Sequence, residues 1–174
     1  NNVLNSLGKD FKVTSVVKKE KNRKGVMPFT TSTLQQACAN KLNFGASKTM
    51  RVAQKLYESV DLGTESVGLI TYMRTDSTRL SNMFIDEAHK FIEENYGKKY
   101  IGAVKKSKEK ANVQYAHEAI RPTSLKRTPE SVKQYLTNDE YKVYSIIYAR
   151  ALASLMADGK VLATTILLDN NNYE

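Results

Sequence analysis

Thr137-Asn138-Asp139-Glu140 is a capping box, with threonine at the N-cap and glutamate three residues on, and it opens the longest helix in this sequence. Tyr141, Tyr144, Ile147, Tyr148, Ala151, Leu152 and Leu155 follow at helical spacing, so the helix runs to about Met156 with one apolar face. Tyrosines at that spacing read as core rather than as a platform for stacking bases. Further helices are predicted from about Ser32 to Asn43, from Ser47 to Val60 (ended by Gly63), and from an N-cap at Ser81 to Tyr96 (stopped by Gly97). Thr128-Pro129-Glu130 reads as another helix start, and a short helix around Tyr115 to Arg121 would end at Pro122. Strand character is confined to residues 11–20, Gly68 to Tyr72, and Lys160 to Asp169. The fold class is therefore mainly α with short β elements (α+β).

Hydrophobic residues make up 41% of the 174, enough for a real core. The longest apolar run, Val161 to Leu168, is about half the length of a membrane span. Net charge is +9, which favours a polyanionic partner. Cys38 is the only cysteine, so an internal disulfide and a cysteine-rich zinc site are both excluded; Leu34, Ala37 and Leu42 around it predict a buried helix position. Lys105, Lys106, Lys108 and Lys110 read as a solvated loop, and His89, in mid-helix, receives no function. No secretory segment is visible, and a start at Asn1-Asn2 is expected of an excised fragment.

Chemistry concentrates in Gly68-Leu69-Ile70-Thr71-Tyr72-Met73-Arg74-Thr75-Asp76-Ser77-Thr78. A phenol at the end of a buried apolar run can attack phosphorus, and a guanidinium two residues on can hold non-bridging oxygens bidentately. The same residues also suit a core tyrosine beside a helix-capping loop, and spacing alone leaves both readings open.

The segment resembles the active-site segment of type IA DNA topoisomerases, and Met73 is similar to the bacterial topoisomerase I branch. Three more blocks resemble the same family in the same order: Pro28-Phe29-Thr30-Thr31-Ser32-Thr33-Leu34-Gln35-Gln36, Lys48 to Tyr57, and His117-Glu118-Ala119-Ile120-Arg121-Pro122-Thr123. The resemblance implies that Tyr72 is the nucleophile, forming a 5′-phosphotyrosine bond without ATP. It implies that Arg74 holds the scissile phosphate and that His117 hydrogen-bonds to it. On a helical turn His117 and Arg121 would share a face. Asp76 and Glu118 are candidates for orienting Arg74 and His117; Thr75, Arg121, Lys48 and Arg51 are candidate DNA contacts, and Thr30 to Thr33 either touch phosphate or cap a helix.

The resemblance further implies a helical active-site domain (residues 28–158) inserted into a β-rich arch domain, to which residues 1–27 and 159–174 would belong. The partner implied is a single-stranded segment of negatively supercoiled DNA, with no membrane, a monomeric state and a cytoplasmic, nucleoid-associated location. No metal site is expected in this chain. Magnesium would bind an acidic domain outside it, so the fragment alone is expected to be inactive. Topoisomerase III and reverse gyrase share these blocks. A single-stranded DNA-binding module without covalent chemistry, and a helical scaffold with no nucleic-acid role, are the alternatives of other classes.

Overall fold

The computed structural model describes residues 2–104 and 117–171, with side chains from residue 4 onward. The chain divides into two compact units, residues 1–24 with 158–174, and residues 25–157.

The first unit opens with a short helix, α1 (Asn2–Ser6), followed by β1 (Lys12–Arg23). β1 pairs antiparallel with the last strand of the chain, Gly159–Asp169, from Lys12 opposite Asp169 to Arg23 opposite Gly159, with a bulge between Val13 and Ser15. The buried Asn170 amide closes one end. It donates to the carbonyls of Gly8 and Asp10 at 2.9 Å each and accepts from the Gly8 N–H at 2.6 Å. Two strands alone have no second layer to cover them, so Val16, Leu162 and Ile166 are more than half exposed. The apolar run 161–168 is thus a surface strand in this unit.

The second unit is helical. α2 (Thr31–Leu42) begins with a capping box between Thr30 and Thr33 and ends at Asn43, whose φ of 54° is the left-handed cap. α3 (Ala46–Glu58) stops two residues short of the sequence expectation, because Val60 and Asp61 (β2) leave the helix to pair with Ser66 and Val67 (β3). Gly63, at φ 83°, turns this hairpin rather than ending a helix. α4 (Asn82–Tyr96) is capped by the Ser81 hydroxyl, and α5 (Pro129–Val132) by that of Thr128. α6 (Asn138–Ser154) carries the expected Thr137–Glu140 capping box, and the Gly159–Asp169 strand becomes β4.

α6 is the centre of the core and packs against α2, α3 and α5. Tyr144, Ile147 and Ala151 are completely buried, as the periodicity predicts. The two buried tyrosines also use their hydroxyls: Tyr144 donates to the Arg127 carbonyl at 2.6 Å and Tyr148 to the Leu125 carbonyl at 2.7 Å. Cys38 is buried, which pushes its thiol pKa up against a smaller opposing effect of the Thr49 hydrogen bond. Among the described residues no helix is long and apolar enough to cross a membrane.

Two expectations are corrected here. Residues 117–121 are extended, not helical: Ile120 bridges Phe29, donating its N–H to the Phe29 carbonyl at 2.8 Å. Tyr115 and Ala116, like the four loop lysines 105–110, lie outside the described residues. Residues 68–72 are not a regular strand, although Ile70 forms an isolated bridge with Pro122. Proline has no N–H to give, so the neighbours carry that bridge: Thr71 N–H donates to the Arg121 carbonyl and Thr123 N–H to the Leu69 carbonyl, both at 2.9 Å.

Candidate active site

Exposure alternates residue by residue along the polar loop. Tyr72, Arg74 and Asp76 are exposed, while Met73, Thr75 and Ser77 are buried. The stretch is not a strand and bends at Thr71 and Met73, so the alternation is one of exposure alone. Tyr72 and Arg74, two positions apart, are both open to solvent.

Threonine hydroxyls hold this stretch at both ends. At one end, Thr71 Oγ1 donates to the Ala119 carbonyl at 2.7 Å and accepts from Arg121 N–H at 3.0 Å. At the other, Thr31 Oγ1 lies 2.8 Å from the Met73 carbonyl and 3.1 Å from that of Thr75, and accepts from Thr75 N–H at 2.9 Å. Thr31 N–H donates to the Thr75 carbonyl at 2.9 Å. The loop then continues through Ser77 N–H to Thr75 Oγ1, Arg79 N–H to Ser77 Oγ, and Ala119 N–H to the Arg79 carbonyl. Its backbone is fixed next to residues 119–121.

The Tyr72 ring has one neighbour of its own kind. Tyr57, in the last turn of α3, meets it edge-on with centroids 5.3 Å apart. The two backbones are tied as well, since Leu69 N–H donates to the Leu56 carbonyl at 2.7 Å. Gly68 sits so close to the Tyr57 carbonyl that any Cβ there would collide with it. Tyr72 nevertheless keeps 42% of its surface open.

The remaining candidates separate into free and occupied groups. Among the described residues Arg74 makes no ion pair, so Asp76, the candidate for orienting it, does not hold it here. His117 is exposed, two residues before Ala119. Arg121 is not on its face: it is buried, donates from Nε to Glu118 Oε2 at 2.6 Å and from Nη1 to the Pro122 carbonyl at 2.9 Å, and lies 4.5 Å from the Phe84 ring centroid. Glu118 therefore orients Arg121. Lys48 is held by Asp139 at 2.7 Å and lies 3.8 Å over Phe44, whereas Arg51 is exposed. Thr30 and Thr33 spend their hydroxyls on the α2 cap. Among the described residues no three His, Cys, Asp or Glu side chains come close enough to hold a metal ion.

The family model described as DNA topoisomerase matches residues 1–174. The structure of full-length topoisomerase I from Thermotoga maritima, in a monoclinic crystal form, is similar with a TM-score of 0.81 and 39% identity. The chain belongs to the type IA DNA topoisomerase family. The match covers 96% of this chain and 27% of the Thermotoga protein, so the topoisomerase relative is several times longer. The sequence motifs locate the loop of this family member but say nothing of what fixes its geometry. Thr31, Thr71 and Tyr57 were legible only as cap, strand and helix residues, because their loop contacts are made by backbone carbonyls or by a ring 15 positions away in sequence.

Proposed function

We propose that this chain supplies the nucleophilic half of a topoisomerase site that cuts and rejoins one strand of DNA. The observation that carries the reading is the joint exposure of Tyr72 and Arg74 in a loop pinned by Thr71 and Thr31. The Tyr72 oxygen attacks the phosphorus of a phosphodiester while its proton is lost. A Tyr72–phosphorus bond forms to the 5′ end, the bond to the 3′ oxygen breaks, and that oxygen takes up a proton. Arg74, without an ion pair among the described residues, holds the non-bridging oxygens as charge builds. His117 hydrogen-bonds to the same phosphate. The reverse attack by the 3′-hydroxyl reseals the strand, so the bond energy is kept and ATP is not consumed.

The substrate is a single-stranded segment of negatively supercoiled DNA, and the outcome is relaxation by a monomer, in the cytoplasm at the nucleoid. Magnesium, which would neutralise phosphate charge, is proposed to bind outside this chain, as the family resemblance implies. On this reading the chain by itself is inactive in relaxation. A test places this chain in the matching region of the Thermotoga protein and adds magnesium and end-labelled single-stranded DNA. A denaturant-stable protein–DNA band that disappears in Tyr72→Phe supports the reading. Its persistence in Tyr72→Phe, or its absence from a folded chimera that still binds DNA, replaces strand cleavage by simple strand binding.

A further inference from the structure

The two faces of the β1–β4 ribbon differ in how their charges are paired. In an antiparallel pair, residues directly opposite share a face and successive residues alternate. The register places Lys19 opposite Ala163, Lys21 opposite Val161 and Arg23 opposite Gly159, so these three cations stand on one face above small or neutral partners. Along this stretch that face carries no acid. Glu20 points to the other side, where it pairs at 2.8 Å with Lys160, a residue that the same register puts on Glu20's face. That second face also holds Lys18, Val13, Val16, Leu162, Ile166 and Leu168, while Val17, Val161 and Leu167 lie on the face of the three cations. Lys19, Lys21 and Arg23 are all exposed and make no ion pair among the described residues.

Cations two residues apart on one strand face are about 6.8 Å apart along the ribbon. That repeat is comparable with the spacing of phosphates along an extended nucleic-acid strand. The charges alternate with residues that turn away, and their cross-strand partners are short, so a backbone can lie flat against them. We infer that this face of the ribbon is a nucleic-acid contact surface that tracks the phosphates of a strand through Lys19, Lys21 and Arg23, without reading bases. It goes beyond the Tyr72 chemistry and rests on the proposal only in taking DNA as the partner. The competing role for such lysines is to keep an exposed ribbon edge from pairing with other chains, which requires no ligand.

The test measures binding of the 174-residue chain to a labelled oligo-dT strand as a function of salt. Each phosphate contact contributes about 0.7 to the slope of log affinity against log salt for single strands. Lys19→Gln/Lys21→Gln is expected to lower the slope by about 1.4, two contacts at about 0.7 each. Lys18→Gln/Lys160→Gln removes the same charge from the other face and is expected to leave the slope nearly unchanged. Lys19→Arg/Lys21→Arg should restore the wild-type slope. Equal losses from both glutamine doublets would mean a response to net charge alone and overturn the inference. Unchanged slopes in both, or no binding by wild type at low salt, would overturn it too. The Tyr72-dependent covalent band, scored separately, is indifferent to any of these results.

Discussion

Thr31→Val removes one hydroxyl and nothing else of comparable size, and the structure says where the loss should fall. The hydroxyl donates toward the carbonyls of Met73 and Thr75 and accepts from Thr75 N–H. The Thr75 carbonyl retains Thr31 N–H, so the net change is one donor lost to the Met73 carbonyl and one acceptor lost to Thr75 N–H. Two neutral hydrogen bonds at about 0.5–1.5 kcal/mol each give roughly 1–3 kcal/mol. Because α2 keeps its cap at Thr30, most of this should appear as local opening of residues 73–75 rather than global unfolding. Amide hydrogen exchange measures it: Thr75 N–H should exchange roughly 5- to 150-fold faster in Thr31→Val. Thr31→Ser, which keeps the hydroxyl, should stay near wild type, and denaturant midpoints should move little. Wild-type exchange at Thr75 in the valine variant, or equal acceleration in the serine variant, would refute the pinning argument.

Tyr57 limits the directions open to the Tyr72 ring. Tyr57→Leu should slow covalent adduct formation by about 3- to 10-fold, the equivalent of one aromatic pair, with DNA affinity unchanged, while Tyr57→Phe keeps the rate. A rate loss of equal size in Tyr57→Phe would assign the effect to the hydroxyl instead. Alkali should unfold the helical unit in a defined window. Burial raises the Tyr148 phenol to about 12 and Tyr144 further in the same direction. Free phenols ionise near pH ~10, so above that the unfolded chain binds fewer protons than the native one, and stability falls as pH rises toward 12. Urea midpoints at successive pH values should show this decline, and Tyr148→Phe should flatten it; a slope unchanged in that variant would exclude Tyr148 as its source.

What the sequence conveyed and what it hid follow from how local each cause is. The Thr137–Glu140 and Ser81 caps, the stripe on α6 and burial of Cys38 depend on residues within a few positions, and each is present, except that on α6 Tyr141 is only half-buried and Val143 joins the core. Residues 117–121 look helical locally, but the Ile120 N–H is taken by Phe29, about ninety positions away, and tertiary pairing wins. The run 161–168 reads as apolar strand, and it is one; its exposure depends on the absence of a covering layer in its unit, which periodicity does not encode. The motif points to Tyr72 and Arg74, whereas their exposure depends on how residues 72–77 are held against the body of the unit. The occupied state of Arg121 needed Glu118 and Phe84 to be seen around it.

The central claim is that Tyr72 carries the covalent bond to DNA. It is met most directly by trapping the adduct with this chain in its full-length setting, digesting the DNA to a short remnant, and sequencing the modified peptide by mass spectrometry. The account predicts a nucleotide remnant on Tyr72, joined through its 5′ phosphate. A remnant on Tyr57 or any other side chain, or joined through a 3′ phosphate, would contradict it.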